Sequence, residues 1–259
     1  MNEPWGWREA ALLALATAGI VAALFLPALP QPNTYHAFAD ARPLLGVPNF
    51  LNVASNLPFL LAGGIGLATV TRARARFHEG AERLPYLLFF IGAVLTCFGS
   101  AYYHLAPDNS RLVWDRLPMT LAFAALVAAV LGERMGFRVG SRALWPLIVI
   151  GAGTVLYWHF TERAGVGNVM PYAIFQAWSF AVLFLLLAVF RSRRYTRGAA
   201  MWWAVGWYAA AKLAEALDRP IFAMLGWVSG HTVKHLAAAL AVFAVAHMLR
   251  GRAALPATP

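Results

Sequence analysis

The chain reads Gly99-Ser100-Ala101-Tyr102-Tyr103-His104 and, a short distance on, Trp114-Asp115-Arg116-Leu117-Pro118-Met119. Both stretches lie next to long apolar runs, so their polar residues stand at the edges of sequence that suits a bilayer. Ionisable side chains in membrane segments are costly and are usually retained because they have a function. Ser100, His104 and Asp115 therefore predict a functional site where one membrane helix ends and the next begins.

The composition of the whole chain predicts a membrane protein. Of its 259 residues 61% are hydrophobic and only 12% are charged, whereas soluble domains contain about 25% charged residues. The charges cluster and leave apolar runs of about 20 residues, the length that a helix needs to cross a bilayer. We therefore predict an all-α fold, a polytopic bundle of membrane helices.

Eight hydrophobic segments follow one another with short connections, so neighbouring helices should be antiparallel within one membrane domain. The segments are roughly 9–30, 50–70, 84–105, 115–131, 144–160, 169–190, 199–217 and 231–249. The first segment has a signal peptide as its alternative interpretation, because Arg8 precedes the apolar run.

The basic residues indicate the orientation of the bundle. The arginine-rich connections contain Arg72, Arg74, Arg76 and Arg83; Arg134, Arg138 and Arg142; Arg191, Arg193, Arg194 and Arg197; and, after the last segment, Arg250 and Arg252. The alternate connections contain Arg42, Arg111, Arg116, Arg163 and Arg219. Because cytoplasmic loops carry the excess of Lys and Arg, both termini should be cytoplasmic. The same distribution explains the net charge of +10 without a nucleic-acid partner.

A second polar stretch, His231-Thr232-Val233-Lys234-His235, begins the last segment. Histidines at i and i+4 present two imidazoles on one helix face, a geometry that suits zinc. The predicted topology brings His231 and His235 to the same extracytoplasmic level as Ser100, His104 and Asp115. Three histidine ligands leave a fourth position for water, as in catalytic zinc sites. We predict a Zn²⁺ site formed by His104, His231 and His235.

Other polar residues have two interpretations each. Asn52, Ser55 and Asn56 are spaced i, i+3 and i+4, so they share one helix face. They either form hydrogen bonds between helices or make a polar wall beside the site.

The charged residues near the end of the seventh segment also have alternatives. Lys212 and Glu215 have the spacing of a pair, but Glu215 or Asp218 could pair with Lys234 instead. Asp115 itself is either a charge favoured by the dipole at a helix start or a group that faces water at the site.

These residues resemble a known family. The chain is similar to the alkaline ceramidases, in the superfamily of seven-helix membrane hydrolases that also contains the adiponectin/progestin receptors and GPI-remodelling proteins. The superfamily pattern appears here as Ser100, His104, Asp115, His231 and His235. The ceramidase branch is indicated by Asn52-x-x-Ser55-Asn56, by Gly99-Ser100 and by Asp115-x-Leu117-Pro118-Met119. The resemblance covers about residues 48–249.

The resemblance implies a seven-helix ceramidase-like domain at 49–250, preceded by an extra transmembrane helix and outer loop at 1–48 and followed by a cytoplasmic tail at 251–259. It implies zinc on the three histidines, with Asp115 and Ser100 hydrogen-bonded to water or to the reacting carbonyl. Two features depart from the family pattern: Arg116 stands where the family has Glu, and Val233 and Lys234 replace bulky aromatic residues. Because residues 33–49 contain only Asp40 as a carboxylate, we expect no calcium site there.

The function that we expect is a zinc-dependent membrane amidohydrolase that cleaves the N-acyl bond of ceramide-like lipids taken from the bilayer. One alternative is a hydrolase of ester lipids, as the GPI-remodelling relatives suggest. Another is a zinc-containing, lipid-sensing receptor with little turnover, and a third is a structural membrane protein with a satisfied polar cluster. The sequence gives no oligomeric state.

Overall fold

The protein is an all-helical bundle. The computed structural model describes residues 6–72, 77–192 and 194–256, so Arg74, Arg76 and Arg193 lie outside the described residues. No β-strand is present in these three ranges. The α-helices are α1 (Trp7–Phe25), α2 (Phe50–Ala54), α3 (Leu57–Thr71), α4 (Arg83–Leu105), α5 (Asn109–Met135), α6 (Phe137–Arg163), α7 (Met170–Val189), α8 (Met201–Ala216), α9 (Asp218–Leu225) and α10 (Gly230–Gly251).

Seven helical spans are long and apolar enough to cross a membrane, counted over the described part of the chain. They are α1, the α2–α3 pair, α4 with the turn before it, α5, α6, α7 and α10. The predicted polytopic all-α fold is therefore confirmed. The remaining predicted segment, 199–217, is helix α8, which has 16 residues and is shorter than the roughly 20 that a perpendicular crossing needs.

Six helices form a ring. α3 packs against α4, α4 against α5, α5 against α7, α7 against α8, α8 against α10, and α10 returns to α3. α6 lies outside this ring against α5 and α7, and α1 lies outside against α7. The ring encloses a cavity of about 330 Å³, and residues of the candidate site line one end of it.

Helices α4 and α5 cross closely because of Gly99 in α4 and Pro118 in α5. Pro118 lies inside α5 and has no N–H, so the carbonyl of Trp114 one turn earlier loses its usual partner. Gly99 of α4 lies directly against that carbonyl oxygen, and a Cβ at Gly99 would overlap it. This contact brings Ser100 and Asp115, the residues that follow Gly99 and Trp114, to facing positions.

Helix α5 begins earlier than the apolar pattern predicts. Asp108 is its N-cap, and its Oδ1 accepts a hydrogen bond from the backbone N–H of Arg111 at 2.7 Å. Asp115 therefore lies in the second turn and not at the helix start, so the interpretation of Asp115 as a helix-dipole charge is wrong. Residues 109–114 were not predicted as helix, because their polar side chains interrupt the apolar pattern that indicates a membrane helix.

Candidate metal centre

Three histidines meet at one end of the bundle, which we call the site end: the end where α4 stops and α5 and α10 begin. His104 comes from the last turn of α4, and His231 and His235 come from the first two turns of α10. All three are at least 95% buried. One ring nitrogen from each lies within 4.8 Å of the others, and the Nε2 atoms of His104 and His231 are 3.3 Å apart.

Ser55 orients His235. The Ser55 hydroxyl lies 2.8 Å from Nδ1 of His235 and 3.3 Å from the carbonyl oxygen of Asn52. With the hydroxyl donating to that carbonyl, we assign the tautomer in which Nδ1 of His235 donates to the Ser55 oxygen and Nε2 has a free lone pair. Such partners fix the tautomer and direction of a metal-binding imidazole.

The polar residues from α2 and its junction with α3 thus have both of their predicted roles. Ser55 is a wall of the site, whereas Asn52 connects helices: its side-chain oxygen accepts from the Thr232 hydroxyl at 3.2 Å, and its amide donates to the carbonyl of Asp40 at 2.9 Å. Asn56 donates to the carbonyl of Asn52 at 2.8 Å. The result is a fixed start for α10.

Asp218 holds the start of α10 from the other side. Its Oδ1 accepts from the backbone N–H of His231 at 2.8 Å, and its Oδ2 accepts from the backbone N–H of Ala39 at 2.9 Å. Gly230 allows this approach, since a Cβ there would overlap the carbonyl oxygen of Ala214. The predicted alternative of an Asp218–Lys234 pair is absent among the described ion pairs.

Ser100 and Asp115 form the second polar element of the site. Both are buried, the Ser100 hydroxyl lies next to the Asp115 carboxylate, and both line the central cavity together with His235. The structure thus brings all five predicted site residues to the site end.

A cluster of charged side chains, of which Glu215 and Lys234 are partly buried and Lys212 is exposed, lies beside them. Glu215 of α8 accepts from Lys234 of α10 at 2.6 Å and also pairs with Lys212 one turn earlier. The Lys212–Glu215 pair and its alternative, Glu215–Lys234, are therefore present together. All three side chains line the cavity.

The segment between α1 and α2 covers the site end. The ring of Phe38 packs on His104 and His231, with centroid distances of 4.7 and 4.5 Å. The two ring nitrogens of His36 are hydrogen-bonded to the Tyr103 hydroxyl at 2.8 Å and to Asn109 Oδ1 at 2.9 Å.

Asp40 fixes the far end of this covering segment. Hydrogen bonds from the Arg42 side chain lower the pKa of the Asp40 carboxyl below its usual range. Nη2 of Arg42 also donates to the carbonyl of Trp227 at 2.9 Å. The segment is thereby anchored to the connection between α9 and α10.

The cavity is polar at the site end and apolar beyond it. Leu126 lies eleven residues after Asp115 on α5, roughly 16 Å farther along the helix. Leu183, Val205 and Val242 line the same region from α7, α8 and α10. This shape matches a molecule with a polar group at the site end and a long apolar chain.

A family model for ceramidases matches residues 46–251. The chain belongs to the ceramidase family. A comparison with curated proteins and another with solved structures gave no match. Ceramidase membership supports a hydrolase, and the seven membrane-length spans support a multi-pass membrane protein.

Three residues at the site end were not predicted from sequence. Phe38, which packs on two of the histidines, and Gln31, which lines the cavity, belong to irregular chain, where no sequence period shows which side chains point inward. Asp218 was noted as a charge, but its role as an acceptor for two backbone N–H groups depends on the short helix α9, which apolar patterning did not reveal.

Proposed function

We propose that this ceramidase-family protein is a zinc-dependent amidohydrolase that cleaves the N-acyl bond of ceramide-like lipids. The observation that carries the proposal is the meeting of three buried imidazoles with a buried Asp–Ser pair at the polar end of an apolar cavity. Zinc, the amide specificity and the residue roles are the proposed parts.

The donor set fits a zinc ion. Nε2 of His104 and Nε2 of His231 face each other at 3.3 Å, and Nε2 of His235 is left unprotonated by its bond to Ser55. The three histidine donor atoms converge with no carboxylate among them. Neutral imidazoles with converging lone pairs are the preferred ligands of zinc. We assign His104, His231 and His235 as its ligands.

Zinc bound there would polarise the lipid carbonyl as a Lewis acid and lower the pKa of a bound water to about 7. The protein supplies the remaining functions. Ser55 and Asp218 hold the two histidines of α10 in place, and Phe38 covers His104 and His231, which limits the access of bulk water.

Asp115 is the proposed proton carrier. Its carboxylate is buried at the cavity wall next to Ser100, and we assign it to accept a proton from the attacking water and to return it to the leaving amine. The Ser100 hydroxyl orients that carboxylate, and during the reaction it is placed to donate to the developing oxyanion.

The apolar part of the cavity is the proposed acyl site. Aliphatic and aromatic side chains from six helices line it, and burying methylene groups there is favourable by about 0.8 kcal/mol each. A lipid taken from the bilayer would place its chain along α5 and its amide at the site end. From the arginine distribution, we propose that the site end is extracytoplasmic and that both termini are cytoplasmic.

The proposal is tested by following fatty acid release from purified protein. We expect hydrolysis of a ceramide to be abolished by a chelator and restored by zinc, with slower release from a phospholipid of equal acyl length. Release from the phospholipid but not from the ceramide would favour the ester-lipid alternative. Stoichiometric zinc without turnover of either lipid would favour the receptor-like alternative.

A further inference from the structure

Arg116 is a buried cation that the proposed mechanism does not use. It follows Asp115 on α5, is only 5% exposed and lines the central cavity. Its Nη2 donates to the side-chain oxygen of Gln31 at 2.5 Å. The face of the guanidinium packs on the rings of Trp158 and Tyr172, at 4.4 and 4.7 Å from the two centroids.

The other terminal nitrogen of Arg116 has no acceptor. Within the described ranges, Nη1 is buried without a hydrogen-bond partner, and no carboxylate lies within ion-pair distance of the side chain. A buried charge is costly unless it is paired. Aromatic faces offset part of that cost, but they leave the N–H groups of Nη1 unsatisfied.

Two other buried guanidiniums have protein acceptors for their terminal nitrogens, although Nε of Arg134 has no hydrogen-bond partner in the described part of the chain. Arg252 forms an ion pair with Glu133, and Arg134 donates to the backbone carbonyls of Phe190 and Gly198. Arg116 instead contacts the side-chain amide of Gln31 and two aromatic rings, and it borders the cavity. A molecule bound in the cavity would supply the acceptor that Nη1 lacks.

The charges around the cavity favour an anionic acceptor. Three cations line it, Arg116, Lys212 and Lys234, against the two carboxylates of Asp115 and Glu215. Glu215 is shared by both lysines. An additional negative group next to Arg116 would balance the set, and a guanidinium binds phosphate or carboxylate through charge-assisted hydrogen bonds.

We infer that the polar head of the substrate lipid carries an anionic oxygen group, a phosphate or a carboxylate, and that Arg116 receives it through Nη1. This inference rests on the proposed function and specifies its substrate class. Gln31 and Tyr35 lie beside Arg116 and also line the cavity, and Arg116 stands ten residues before Leu126 on α5, roughly 15 Å from the apolar region. The anionic group therefore belongs to the amine part of the lipid, which leaves after cleavage.

The test compares two lipids that differ only in the head: N-acylsphingosine and its 1-phosphate. We expect wild-type kcat/KM to be higher for the phosphate. Arg116→Gln should lower kcat/KM for the phosphate by about 10- to 100-fold, the effect of losing a hydrogen bond to a charged group, and should change the value for the neutral lipid by much less. The same kcat/KM comparison on an N-acyl lipid with a carboxylate head then shows which of the two anions depends more strongly on Arg116.

Two further variants complete the design. Arg111→Gln is the matched control, because Arg111 lies on the same helix at the same end but is stacked on Tyr102 outside the cavity; the lipid preference should stay at the wild-type value. Arg116→Lys keeps the charge without the planar fork and should retain part of the preference, which keeps the test open if the glutamine variant does not fold.

A binding readout separates this inference from the proposed function. The phosphate lipid should raise the thermal midpoint of the wild type more than that of Arg116→Gln. Equal stabilisation of the two proteins, an equal loss of kcat/KM on both lipids, or a wild-type preference for the neutral lipid would overturn the anionic subsite. Arg116-dependent stabilisation without hydrolysis of any N-acyl lipid would overturn the proposed function and leave the subsite standing.

Discussion

At the residue scale, the site contains two separate groups of side chains, the proposed metal ligands and the proposed proton-handling pair. Ser100 and Asp115 face each other because Gly99 packs on the carbonyl of Trp114. His104, His231 and His235 meet because one helix end and one helix start lie side by side. The two groups are therefore built by different contacts and can be changed separately.

Asp115→Asn should lower turnover by roughly 10² to 10⁴-fold, the usual scale of general acid–base catalysis, while zinc content stays near that of the wild type. The change keeps the shape of the side chain and removes its charge and basic oxygen. Ser100→Ala should cost less, since a hydroxyl that orients a carboxylate does not carry the proton itself. Zinc and turnover are measured on the same samples. A zinc-replete Asp115→Asn protein with near wild-type turnover would refute the role of Asp115.

Ser55→Ala should weaken zinc binding by about 10- to 100-fold, because the partner that fixes a histidine ligand is lost. The measurement is zinc transfer to a competing chelator. Ser179→Ala is the matched control: Ser179 is equally buried, but it donates only to the carbonyl of Phe175 on its own helix, at 2.8 Å. Equal zinc affinity in the two variants would remove Ser55 from the metal site.

The site residues were more predictable than their surroundings. His231 and His235 are four apart on one helix, and the order of the apolar segments brings His104 and Asp115 to the same level, so convergence could be predicted. The position of Phe38 could not be predicted, because it lies in irregular chain, where no sequence period indicates which way a side chain points. Arg116 was visible as an unusual residue, but its packing on Trp158 depends on the fold.

At the scale of elements, the apolar runs predicted where helices exist but not where they end. Each of the eight predicted segments corresponds to a helix or to the α2–α3 pair. The start of α5 was placed six residues late, since its first turns are polar and are set by the Asp108 cap. Helix α9 was missed because it is short and connects two longer helices.

The close crossing of α4 and α5 makes a prediction of its own. Gly99→Ala should destabilise the protein by roughly 1–3 kcal/mol, the usual cost of overpacking, because the added methyl group would meet the backbone carbonyl of Trp114. Gly64→Ala on α3 is the control, since nothing lies within 4 Å of its added Cβ. Thermal unfolding in detergent measures both. Equal midpoints for the two variants would show that this crossing does not need a glycine.

At the scale of the whole molecule, three helices carry an arginine at the end of the bundle opposite the histidines. Arg83, Arg134 and Arg250 stand in the terminal turns of α4, α5 and α10 that are farthest from the histidines. The orientation proposed from arginine counts places that end in the cytoplasm. The site and its lipid substrate would then be at the outer half of the membrane.

A topology experiment tests this orientation. A reporter fused after Arg252 should read as cytoplasmic, and a tag next to Asp108 should be labelled from outside by a reagent that cannot cross the membrane. The physical reason is that arginine-rich connections are retained in the cytoplasm during insertion. The reverse labelling pattern would place the site end inside the cell, without altering the metal site itself.

The central claim, a three-histidine zinc centre, is tested most directly by metal analysis of the purified protein. The wild type should contain about one zinc per chain, and the His231→Ala/His235→Ala double variant should lose most of it while its helical content stays unchanged, because two of the three converging ring nitrogens are removed. Stoichiometric zinc in the folded double variant would contradict the account.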